Sequence, residues 1–97
     1  MIIADNDAAV VKQKMLAITK KYEFEKLTEQ IYFAIAGETN EMLKRFVIEN
    51  HVDIDPGEIN VVVNQKDVNK IGVDFYPMSD RAEIWLVDLF KKMQELP

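Results

Sequence analysis

The stretch "INVVVNQKDVNKIGVDFY", residues 59–76, decides how the chain is read, because the apolar period changes there from that of a helix to that of a strand. Ile59, Val61 and Val63 alternate with Asn60, Val62 and Asn64, and Ile71, Val73 and Phe75 alternate with Gly72, Asp74 and Tyr76. Successive side chains of a strand point to opposite faces, so each run has one apolar face. The polar "QKDVNK" joins the two as an antiparallel hairpin, which suits a sheet covered by helices on one side only.

Upstream, the period is helical. Ala8, Val11, Met15, Ile18 and Tyr22 recur at gaps of three and four, which stacks them on one helix face. Asp5 or Asp7 can cap this helix, and Lys20 and Lys21 suit the negative end of its dipole. The phase then slips around Tyr22 and Glu23, and the apolar positions resume at Phe24, Leu27, Ile31, Ala34 and Ile35. The slip predicts a short break before a second helix. Gly37 weakens a helix by about 1 kcal/mol relative to Ala, and Thr39 or Asn40 can cap a new one. Gly37 is therefore read as separating a second helix from a third, whose apolar face is Met42, Leu43, Phe46 and Val47.

Downstream, Pro77 ends the second strand and Ser79 or Asp80 starts a helix, Asp80 and Glu83 having the spacing of a capping box. Ala82, Trp85, Leu86, Leu89, Phe90 and Met93 follow the i, i+3, i+4 pattern. Ile84 and Val87 fall off that face and predict a second neighbour. The expected fold is α+β in one domain spanning 1–97: three N-terminal helices, an antiparallel hairpin and a C-terminal helix. A lone two-stranded hairpin is marginal in water and its edges invite pairing. "MII" could add a third strand and the helices could cover the hairpin, but the expected remedy is a homodimer with a four-stranded sheet. Val62, Tyr76, Ile84 and Val87 would line its interface.

Within "HVDIDPGEIN", residues 51–60, His51, Asp53, Asp55 and Glu58 raise the question of a metal or acid/base site. A calcium loop counted from Asp53 would need Gly at position six and Glu at position twelve, and the latter is Asn64. The reading adopted is structural. His51 ends the helix, Val52 and Ile54 turn inward, Asp53 and Asp55 face water, and Asp55-Pro56-Gly57-Glu58 forms a type II turn with positive φ at Gly57.

The chain has no cysteine, which excludes disulfides, thiolate metal sites and cysteine nucleophiles. Ser79 is the only serine, and Gly37, Gly57 and Gly72 stand alone, so no glycine-rich phosphate loop exists. Neither an enzyme nor a cofactor is expected. "MIIADND" lacks the basic start of a secretory signal, and no run approaches the roughly 20 apolar residues of a spanning helix, so the expected location is the cytoplasm.

The net charge of −5 argues against direct binding of nucleic acid or an anionic membrane. Residues 23–58 hold nine acids, Glu23, Glu25, Glu29, Glu38, Glu41, Glu49, Asp53, Asp55 and Glu58, against three bases. Glutamates on helices usually form a solvated face, and Glu41, Arg45 and Glu49 can pair locally. The functional expectation is that this acidic face meets a basic protein, gaining rate and specificity by electrostatic complementarity. A nucleic-acid-binding protein is the natural target, with carboxylates where phosphates would stand.

In size, lack of cysteine and acid balance the chain resembles the small regulatory or host-takeover proteins of bacteria and their phages, a likeness of class without a family motif. It implies a non-enzymatic inhibitor of the DNA-mimic kind. The alternative is an assembly adaptor or chaperone-like subunit, held by apolar contacts through Ile84, Val87 and the hairpin edge.

Overall fold

The computed structural model describes residues 3–67 and 70–96, and their side chains apart from those of 65–67, 70 and 71. The order is α1 (Asp5–Lys21), α2 (Glu29–Glu49), β1 (Val61–Asp67), β2 (Lys70–Phe75) and α3 (Asp80–Glu95). The α+β reading holds, but two helices, not three, precede the hairpin. α1 packs against both α2 and α3, and α2 packs against β1.

The expected break between α1 and α2 is present. α1 ends at Lys21, and α2 starts only after Thr28, whose hydroxyl accepts the N–H of Ile31. The expected break at Gly37 is not, since α2 runs through it. Thr39 and Asn40 do not cap a new helix: their side chains donate to the carbonyls of Ile35 and Ala36, one turn back. Gly37 thus carries only its intrinsic cost, which the buried Ile35, Thr39, Leu43, Phe46 and Val47 offset through packing. At the start of α1 the N-cap is Ala4, with no side-chain cap, and Asp5 and Asp7 lie in the first turn.

The hairpin is antiparallel, with Val61 opposite Phe75 and Val63 opposite Val73, and an irregularity between Gln65 and Asp67. The strands extend into the polar connection, because a backbone ladder can continue past the last side chain that reaches the core. Residues 68 and 69, at the tip, lie outside the described residues. Ile59, Val61 and Val63 are buried, whereas Asn60 and Asn64 are exposed, so the predicted alternation is realised. Val73 and Phe75 pack on the core, and Phe75 meets Phe90 of α3 at 4.8 Å between centroids.

α3 is capped by Ser79, which accepts the N–H of Ala82, so Asp80 is the first helical residue and the Asp80–Glu83 box is not formed. Ala82, Trp85, Leu86, Leu89 and Met93 are buried as their spacing predicts. Met1 and Ile2 lie outside the described residues. Ile3 is buried but belongs to no strand; its N–H donates to Asp88 and its carbonyl accepts from Lys92, which fastens it to α3.

Candidate protein-binding surface

The phase slip in the sequence becomes an exposed connection in the structure. Turn hydrogen bonds from Glu23 N–H to Lys20 and from Glu25 N–H to Tyr22 curl the backbone after α1. Phe24, at the crest of this curl, is 95% exposed. The sequence places it on an apolar helix face, but the break comes before it, so no core is in reach. Glu23 and Glu25 flank it, and Glu29 follows in the first turn of α2; all three are exposed and make no hydrogen bond or ion pair among the described residues.

Behind this tip, Glu38 fastens the two helices together. It accepts from the Tyr22 hydroxyl and, at 3.0 Å, from the Lys21 ammonium. The Tyr22 bond first, then Lys21, holds the Glu38 carboxyl below its ordinary value. The same carboxylate raises Lys21 and Tyr22 above theirs. These residues border a groove of about 780 Å³ between α1 and α2, floored by Ala17, Ala34 and Gly37.

The other acids are dispersed. At 100° per residue, Glu38 lies about 180° around α2 from Glu29. Glu49 is at the far end of this 21-residue helix, about 30 Å away at 1.5 Å per residue. Glu41 reaches Arg45 only at 4.0 Å. Asp53 pairs with Arg81 at 2.8 Å, Asp55 accepts the N–H of Gly57, and Glu58 accepts the Ser79 hydroxyl at 2.7 Å. Three of the nine acids are thus tied into the junction between α2 and the hairpin, while Glu23 and Glu25 adjoin Phe24 in the chain and Glu29 opens α2.

The "HVDIDPGEIN" segment is built as a helix stop. His51 takes φ 53°, its N–H bonds Ile48, and the N–H of Val52 reaches back to Val47, a Schellman closure with histidine where glycine is usual. Val52 and Ile54 turn inward, and Asp53 and Asp55 face water. The type II turn is not formed, because no glycine among the described residues has positive φ. The Asp55 carboxylate holds the Gly57 N–H and Pro56 presets a helical φ, so a 3-10 turn forms over Pro56–Glu58. His51 and Asp53 share a shallow cavity of about 270 Å³ with Asp7. Among the described residues no three metal-binding side chains are grouped to hold an ion.

No family model, curated protein or solved structure matches the chain. The surface must therefore be read from its own chemistry. Among the described residues no helix is long and apolar enough to cross a membrane. The four residues assigned to a dimer interface differ in exposure: Tyr76, Ile84 and Val87 are exposed, and Val62 is half-buried. Phe24 and Phe33 are the surface aromatics that sequence reasoning missed. Their signal was compositional: Phe24 stands between two glutamates where the helical phase has already failed.

Proposed function

We propose that the chain is a non-enzymatic protein-binding regulator or inhibitor that engages a basic partner through the connection between α1 and α2. The observation that carries this reading is Phe24, 95% exposed between two carboxylates that have no ion-pair partner among the described residues. Burying an exposed aromatic ring in a partner's pocket gains roughly 25 cal/mol per Å² of apolar surface. Charges around such an anchor contribute encounter rate and specificity. Glu23, Glu25 and Glu29 supply that rim, and a nucleic-acid-binding protein is the basic partner proposed.

The fate of Ser79 supports a non-enzymatic reading. Its hydroxyl accepts the α3 cap bond and donates to Glu58, so it serves the fold at both ends. A homodimer joined through the hairpin remains part of the proposal. Because Tyr76 N–H bonds Asn60 and alternate residues face alternate edges, Val73 and Phe75 direct their backbone groups to the outer edge of β2. A second reading, an assembly adaptor, is favoured by Ile84 and Val87, which are 58% and 49% exposed one turn apart on α3.

The test is capture of partners from host lysate by the full chain at low and high salt. A basic protein retained at low salt, released at high salt and lost with Phe24→Ala or with Glu23→Lys, Glu25→Lys and Glu29→Lys supports the proposal. Capture that ignores salt and these changes but is lost with Ile84→Asp favours the adaptor.

A further inference from the structure

We infer that the outer edge of β1, walled by the first turns of α2, is a receptor for an extended segment of a partner's main chain. The edge is defined by hydrogen bonds already made. Asn40 accepts the N–H of Val61 at 2.9 Å and donates to its carbonyl at 2.8 Å. Both backbone groups of Val61 therefore point away from β2. Two residues on, Val63 faces the same way by the alternation of an antiparallel ladder. No described residue pairs with its outward N–H and carbonyl.

Beside Val63 the chain leaves a groove of about 370 Å³, lined by Tyr32, Phe33 and Ala36 of α2, by Val62 and Val63 of β1 and by Tyr76 just past the end of β2. The buried hydroxyl of Tyr32, which lines this groove, has no hydrogen-bond partner among the described residues. An unpaired edge and an unpaired phenol thus flank one cleft, with exposed rings of Phe33 and Tyr76 beside it.

The edge specifies its occupant. N–H and C=O groups at strand spacing are matched along their length by another extended backbone, as in β-augmentation. At Val61 the Asn40 carboxamide already stands in for one peptide group of such a strand. Glu29 also lines the groove, so the fitting segment carries a lysine or arginine near that end. This basic character rests on the function proposed above; the backbone pairing does not. A second copy's β1 fits less well, because its own α2 lies along the same edge and would enter the same space.

The test uses eight-residue synthetic peptides in which lysine alternates with valine, threonine or tyrosine, titrated into the full chain with amide exchange followed by NMR. At least one peptide is expected to slow exchange at Val63 tenfold or more. N-methylation of alternate residues in that peptide should weaken binding at least tenfold, and Tyr32→Phe should weaken it several-fold while the protein stays folded. The inference is overturned if no peptide protects Val63, if the N-methylated peptide binds equally, or if Val63 becomes protected by self-association without peptide. Replacing lysine by glutamine separates the two ideas. Unchanged binding with Val63 protected leaves the edge receptor standing and sinks the acidic-surface reading, whereas salt-sensitive binding that ignores N-methylation does the reverse.

Discussion

Asn40 pairs with Val61 as one strand pairs with another, its carboxamide accepting the N–H at 2.9 Å and donating to the carbonyl at 2.8 Å. A side chain in the middle of α2 thereby fixes where the hairpin sits on the helix. Val61 is buried, so truncation at Asn40 leaves two backbone groups without partners or easy access to water. At about 1–3 kcal/mol for each unsatisfied group, Asn40→Ala is expected to cost about 3 kcal/mol. Asn40→Asp keeps the acceptor but sets a carboxylate against the Val61 carbonyl, so it should be at least as destabilised near neutrality and recover partly in acid. Urea denaturation at two pH values measures both; a loss below about 0.5 kcal/mol for Asn40→Ala would refute the pairing.

Gly37 lies in the interior of α2, and a β-carbon built there meets nothing within 4 Å. Alanine therefore gains helix propensity without a clash. Gly37→Ala is expected to stabilise the fold by about 1 kcal/mol. A helix broken at this point would lose stability instead, so the sign of the change in denaturation midpoint distinguishes the two.

The legible parts of the fold were those in which one local pattern had one tertiary use. Ala8, Val11, Trp85, Leu86 and Leu89 are buried as their helical spacing requires, and Ile59, Val61 and Val63 as their alternation requires. Gly37, Thr39 and Asn40 misled because a glycine followed by two capping residue types also fits a continuous helix when their side chains bond back to the preceding turn. Nothing local distinguishes those uses; the partner that settles Asn40 is 21 residues away. Phe24 misled for the opposite reason, since apolar character says nothing of whether a core is within reach. The acidic bias of residues 23–58 was visible, but its division between the Phe24 tip and the ties at Asp53, Asp55 and Glu58 depends on the packing of α3 beside the turn.

His51 occupies the left-handed position that closes α2, at φ 53°. An L-residue there carries a cost of roughly 1 kcal/mol that glycine escapes. His51→Gly is expected to stabilise by up to about 1 kcal/mol, and His51→Ala, which keeps the β-carbon, should not. Thermal unfolding of both checks the sign. A large loss with glycine would mean that the imidazole holds something the backbone geometry does not explain.

The Tyr22–Glu38–Lys21 cluster gives the junction of α1 and α2 a pH window. Glu38 is lowered, so its contribution is present above the ordinary carboxylate value of 4.5 and is lost as pH falls through its folded value. Tyr22 and Lys21 are raised above 10.0 and 10.5, so theirs is present below those values and is lost as pH rises through the folded ones. The groups are largely solvated, which keeps the effect small. Tyr22→Phe should narrow the difference in melting temperature between pH 7 and pH 3.5 by a few degrees at most. No change in that difference would show that the cluster is not populated in solution.

Phe24 and the three glutamates near it should separate binding from folding. None of the four side chains is buried, and Glu23, Glu25 and Glu29 make no described hydrogen bond or ion pair. Phe24→Ser is therefore expected to leave the unfolding free energy within about 0.5 kcal/mol of the parent. If the ring is the anchor of the contact, its loss should cost at least about 2 kcal/mol of binding, or roughly 30-fold in Kd. Glu23→Lys and Glu25→Lys should act differently, slowing association more than they speed dissociation and flattening the salt dependence of the on-rate. Surface-binding kinetics of the captured partner across a salt series read both effects. A partner whose affinity survives Phe24→Ser, or whose on-rate ignores the charge reversals, would place the contact away from this connection.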